Sequence, residues 1–139
     1  MPLLEQVLEK YPDSVKISFK HFPLVFHKQA KPAALAAMAA AEQGRFWEYH
    51  DELFLQQNLL GSELYLEIAR ELGLDQQKFS LDIMRPSLRQ RVEQDMADGK
   101  KAGVTGTPTI FVNGRRVRQR DIGTISRLID EELAAVKEE

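Results

Sequence analysis

The sequence has no cysteine. That excludes a disulfide, a thiolate nucleophile and a cysteine-ligated metal within these 139 residues. It also removes the usual guide to redox compartment, since a chain without thiols suits reducing and oxidising surroundings equally. Long hydrophobic runs are missing too. The least polar stretch, Ala33 to Ala41, is too short and too rich in alanine to span a bilayer. Neither sign of charge dominates: Lys and Arg number 19 against 21 Asp and Glu, for a formal net charge of -2. That balance argues against a nucleic-acid partner and against binding to a membrane surface. The opening residues Met1 to Gln6 have no basic region and no apolar stretch, so no signal peptide is expected. Histidine occurs at positions 21, 27 and 50 only. That spacing contains no His-x-x-x-His pair, so neither a metal site nor a cofactor is expected. The three are expected to pack or cap.

What is present reads as one α/β domain over residues 1–139, with a helical insertion at about 28–102. Leu3, Leu4, Val7, Leu8 and Tyr11 fall at helical spacing, and Pro12-Asp13 ends that helix. Val15 to Lys20 alternates apolar and polar residues, the pattern of a half-buried strand, and Pro23 stops it. Helices are then expected from about Lys28 to Gln43, stopped by Gly44, and from Arg45 to about Gln57. In the second of these, Phe46, Trp47, Tyr49 and Phe54 are expected in the core. Gly61-Ser62 marks a turn and an N-cap, and Gly73 closes the helix striped by Leu64, Ile68 and Leu72. Asp75 is the next N-cap, with Leu74 and Phe79 spaced as a hydrophobic staple. Pro86 opens a longer helix striped by Leu88, Val92, Met96 and Gly99.

The pattern then changes. Thr109 to Val112 is β-rich, and Asn113-Gly114 is the strongest two-residue hairpin signal, favouring a type I′ turn. Arg115 to Arg118 form the return strand, and Asp121 caps a last helix whose apolar face is Ile122, Ile125, Leu128, Ile129 and Leu133. The arginines at 115, 116, 118 and 120 admit two readings: an anion site, or a solvated edge strand kept from aggregating by charge. The second is the plainer expectation. The Thr107–Pro108 bond is likewise open to two readings. It is either a trans proline ending a loop, or a cis bond that turns the Thr107 main chain outward for strand addition by an extended peptide.

The run Gly103-Val104-Thr105-Gly106-Thr107-Pro108-Thr109, continuing to Asn113-Gly114, resembles the cis-proline loop and closing hairpin of DsbA-like thioredoxin-fold proteins. Three further stretches are similar to that family, in the right order: His21-Phe22-Pro23-Leu24 with His27; the alanine-rich helix with Gly44 to Phe54; and Leu72-Gly73-Leu74-Asp75 with Phe79. The resemblance implies a thioredoxin-like fold with a helical insertion, a small sheet closed by a β-hairpin and a C-terminal helix. It implies a thiol:disulfide oxidoreductase family, Gly106, Thr107 and Pro108 as substrate-binding residues, His21, Phe22 and Pro23 as neighbours of an active site, and a periplasmic setting.

The family motif, Cys-x-x-Cys at the start of the first helix, has no counterpart here. The resemblance places it just ahead of Met1, together with the strand before it, so the chain is expected to be truncated and redox-inactive by itself. Loss of that central strand would open two ladder edges, from which a homodimer is expected. Two other readings remain. One is a non-catalytic module that binds an extended polypeptide or partner protein. The other is a relative of kappa-class glutathione transferases and isomerases, disfavoured because no serine or threonine stands at the start of the first helix. Relatives also commonly carry a glycine near Gln119-Arg120, where this chain has two large polar residues.

Overall fold

Proline at position 2 has the fixed φ that suits a first helical turn, and α1 (Pro2–Lys10) begins there in the computed structural model. The structure describes residues 2–23 and 27–137; Met1, and Leu24 of the second motif, lie outside them. Two compact units are present. One is built from the two ends of the chain, residues 1–19 and 106–139, and the other is the continuous stretch 20–105.

In the first unit α1 buries Val7, and the following Tyr11 joins it. Their partners are Ile125, Leu128 and Ile129 of the C-terminal helix α7 (Ile122–Lys137) and Val117 before it, with Val15, Ile110 and Val112 at the margin. The Tyr11 hydroxyl donates to the Asp130 carboxylate at 2.7 Å, fixing the end of α1 to α7. Asp121 caps α7 as expected: its carboxylate accepts from the Thr124 main-chain N–H at 2.7 Å. That bond holds the carboxyl below its usual pKa range. The sheet, among the described residues, is a two-stranded ribbon of β1 (Phe111–Val112) and β2 (Arg115–Arg116), antiparallel, pairing Phe111 with Arg116 and Val112 with Arg115. The turn between them has φ of 48° at Asn113 and 82° at Gly114, both in the left-handed region that a type I′ turn demands.

The strand expected at Val15 to Lys20 does not form. Those residues keep the alternation, with Val15, Ile17 and Phe19 half-buried and Lys16, Ser18 and Lys20 exposed, but they join no ladder. The physical reason is pairing. A strand needs a neighbour for its N–H and C=O groups, and among the described residues none pairs with Val15 to Lys20. The β run at Thr109 is also shorter than expected, with ladder pairing only at Phe111–Val112.

The second unit is helical: α2 (Ala30–Ala41), α3 (Phe46–Leu55), a 3-10 turn (Gln57–Leu59), α4 (Ser62–Glu71), α5 (Gln76–Ile83) and α6 (Pro86–Lys101). Alanines 36, 37, 39 and 40 of α2 are buried, and their small side chains let neighbouring helices approach closely. Tyr49, Ile68, Phe79 and Val92 are the largest fully buried side chains. The Tyr49 hydroxyl donates to the Tyr65 carbonyl at 2.8 Å, so the buried phenol keeps a partner.

Gly73 ends α4 with φ of 74°. The N–H of Leu74 reaches the Ala69 carbonyl and that of Gly73 the Arg70 carbonyl, both at 3.0 Å, the paired bonds of a Schellman stop. Asp75 caps α5 by accepting from the Lys78 N–H at 3.0 Å, and Leu74 and Phe79 are both buried beside it. At α4 the expected serine cap is displaced by one residue: Gly61 is the N-cap and Ser62 is already helical. No helix among the described residues is long and apolar enough to cross a membrane.

Candidate functional site

Gly106, Thr107 and Pro108 belong to the first unit and lead directly into β1. The Thr109 hydroxyl donates back to the Gly106 carbonyl at 2.7 Å and closes the loop on itself. The Pro108 carbonyl accepts from Arg120 Nη1 at 3.2 Å. The Thr107–Pro108 peptide bond is cis. Thr107 and Pro108 are exposed, and among the described residues neither the N–H nor the C=O of Thr107 makes a hydrogen bond. Beyond the loop, the Val117 N–H reaches the Ile110 carbonyl at 2.9 Å, extending the register of the hairpin by one bond. Among the described residues β1 pairs with β2 alone, so its far edge presents main-chain polar groups, next to an exposed Phe111.

His21, Phe22 and Pro23 belong to the second unit. His21 is buried, and its main-chain N–H donates to Asp95 Oδ2 at 3.0 Å. Asp95 is itself buried, with Lys20 at 3.8 Å and Arg91 at 3.5 Å as counter-charges. The His21 ring meets Phe46 edge-on, with centroids 5.9 Å apart. From Phe46 the ring contacts run on to Trp47 and His50, and from His50 to Phe54 at 4.7 Å. Burial is the main reason that His21 is lowered from the usual 6.5 to about 4; nearby Asp95 opposes the shift, and Arg91 and His50 add to it. His50 is pushed down by burial as well, with Asp51 partly opposing. Both rings are therefore neutral at ordinary pH. His27 lies exposed ahead of α2, its carbonyl accepting from the Ala30 N–H at 3.0 Å. Phe22 occupies the room left by Gly99 of α6, where a Cβ would stand 2.8 Å from its ring.

A family model described as thioredoxin matches residues 2–131. The chain belongs to the thioredoxin family. Its fold is DsbA-like. It is similar to a thioredoxin-like oxidoreductase from Silicibacter pomeroyi DSS-3, with a TM-score of 0.85 at 26% identity over 96% of this chain and 77% of that one. It also resembles in fold the oxidoreductase DsbA from Xylella fastidiosa, with a TM-score of 0.73 at 22% identity over 99% of this chain and 79% of the other. Curated relatives include the Na(+)/H(+) antiporter NhaA of Herminiimonas arsenicoxydans, 38% identical over 119 residues, and NhaA 3 of Salinispora tropica, 41% identical over 116. These matches cover 85% and 83% of this chain but only 19% and 18% of those proteins, so the chain spans about a fifth of their length.

Two features of this thioredoxin-family chain were not anticipated from its sequence. The first is Asp95, the carboxylate behind His21. Its signal was present: position 95 falls on the α6 stripe of Leu88 and Val92, where a charged residue has to be paired to be buried. The second is exposure within α3. Tyr49 is fully buried, but Trp47 is 39% and Phe54 57% exposed, against the expectation that all four aromatics lie in the core. Helical spacing explains it: Phe46, Tyr49, His50 and Leu53 share the inward face, and Trp47 and Phe54 lie off it.

Proposed function

We propose that this chain is the substrate-holding part of a DsbA-family thiol:disulfide oxidoreductase, receiving an extended polypeptide along Gly106, Thr107 and Pro108 and the open edge of β1. The observation that carries the reading is the unbonded, exposed main chain of Thr107 at the head of a strand with one partner. An incoming strand satisfies such groups with its own N–H and C=O and adds side-chain contacts at alternate positions. The exchange itself passes a disulfide through a mixed-disulfide intermediate, and its sulfur atoms have to lie outside these 139 residues, none of which is a cysteine. By itself the chain is therefore redox-inactive. His21, Phe22 and Pro23, which belong to the other unit, are proposed as neighbours of the catalytic groups, with His21 neutral.

Photo-cross-linking tests this. With a photoreactive residue in place of Thr107, an unfolded, alkylated polypeptide is captured at that position, while insulin reduction by the unmodified chain stays blank. Capture that is no greater at 107 than at an exposed control position such as Glu67 removes the reading. The free edge of β1 also supports a homodimer paired strand to strand. Light scattering then gives twice the mass of the 15.9 kDa chain, and a stable monomer at high concentration rules that pairing out.

A further inference from the structure

The hairpin and its exit carry Arg115, Arg116, Arg118 and Arg120 within six residues. Arg115 is spent on α7, with Glu131 at 2.8 Å and Glu132 at 3.7 Å. The other three line an open cleft of about 380 Å³, together with Pro108, Thr109 and Ile110. Strand alternation explains the grouping: Val117 is buried in the core of its unit, so Arg116 and Arg118 on either side of it turn outward. Arg118 makes no ion pair or hydrogen bond among the described residues. Arg120 spends one donor on the Pro108 carbonyl, of the five that a guanidinium carries.

We propose that the cleft selects the polypeptide docked at Thr107 for an acidic side chain, an aspartate or glutamate at or beside the residue that the loop holds. The inference rests on the docking reading above. Pro108 belongs both to that loop and to the cleft lining, so a segment held at Thr107 brings its neighbouring side chains past the guanidinium groups. A planar carboxylate matches the paired donors of arginine. In a chain whose net charge is -2, a local excess of positive groups at one cleft steers acidic partners and discriminates against basic ones more than it adds raw affinity.

The test uses the full chain and three fluorescent extended peptides that differ at one position: glutamate, glutamine or lysine. At low salt the glutamate peptide binds about threefold to fivefold more tightly than the glutamine peptide, the gain of one exposed ion pair, and the lysine peptide binds more weakly than either. In Arg118→Gln and in Arg116→Gln/Arg118→Gln the preference falls toward unity, while circular dichroism confirms that both variants fold. About 0.5 M NaCl erases it in the unaltered chain. Equal binding of glutamate and glutamine peptides at low salt overturns the inference and leaves docking intact. A preference that survives the double substitution overturns it too, since the anion is then read elsewhere. If no peptide binds and cross-linking at Thr107 is also silent, docking itself has failed and selection fails with it.

Discussion

At the scale of a single residue, His21 couples stability to pH. It is held neutral in the native state by burial, with its pKa lowered from 6.5 to about 4, but protonates freely once unfolded. The unfolded chain therefore binds more protons between those two values. The stability that the neutral ring contributes is complete above 6.5 and is lost as pH falls from there through about 4. Over that window the loss is on the order of 3 kcal/mol, the opposing pull of Asp95 being already contained in the value of about 4. Urea midpoints for the unaltered chain and for His21→Gln, taken near neutrality and near pH ~4.5, check this. The variant shows the shallower decline, and parallel profiles would mean that the ring is not held neutral.

At the scale of elements, the features legible in the sequence are those decided within a few residues. Asn113-Gly114 dictated its turn because both positions need positive φ, and the two residues that tolerate it best stand there. Gly73 and Asp75 behaved likewise, one ending α4 and the other opening α5. Asp75→Ala removes the bond to the Lys78 N–H at an exposed helix start, and a loss of about 1 kcal/mol is expected from denaturant titration. Gln43 limits the damage. Its amide holds the Asp75 main chain, accepting at 2.8 Å and donating at 3.2 Å, and those bonds survive the substitution. What was not legible depends on partners far away in the chain. The alternation at Val15 to Lys20 predicts a strand; its burial pattern is present, but a ladder needs a second strand that no local pattern can supply. Trp47 and Phe54 are exposed for a related reason: apolar character alone does not say which face of α3 a residue occupies.

At the scale of the whole molecule, the two units differ in how they are encoded. The core of the second, from Leu35 to Val92, is drawn entirely from the continuous stretch 20–105. The core of the first joins Val7 and Tyr11 to Val117, Ile125, Leu128 and Ile129, residues more than a hundred positions apart in the chain. Residues 20–105 expressed alone therefore give a helical circular-dichroism spectrum and a cooperative thermal transition. A featureless melt would show that this core needs residues outside it. The candidate site divides the same way. The loop, the hairpin and its arginines carried a recognisable signature, while the carboxylate behind His21 emerged only once side chains distant in sequence were placed in space.

The hairpin is armed on one side only. Its return strand is studded with guanidinium groups that repel a like neighbour, whereas the outgoing strand carries Phe111 and Val112 and no charge at all. When two copies join through the uncharged side, the outer margins left over are both cationic, and a third copy finds nothing to zip onto. In the homodimer proposed above, growth would therefore halt at a pair, and the same asymmetry would guard that pair against fibrils.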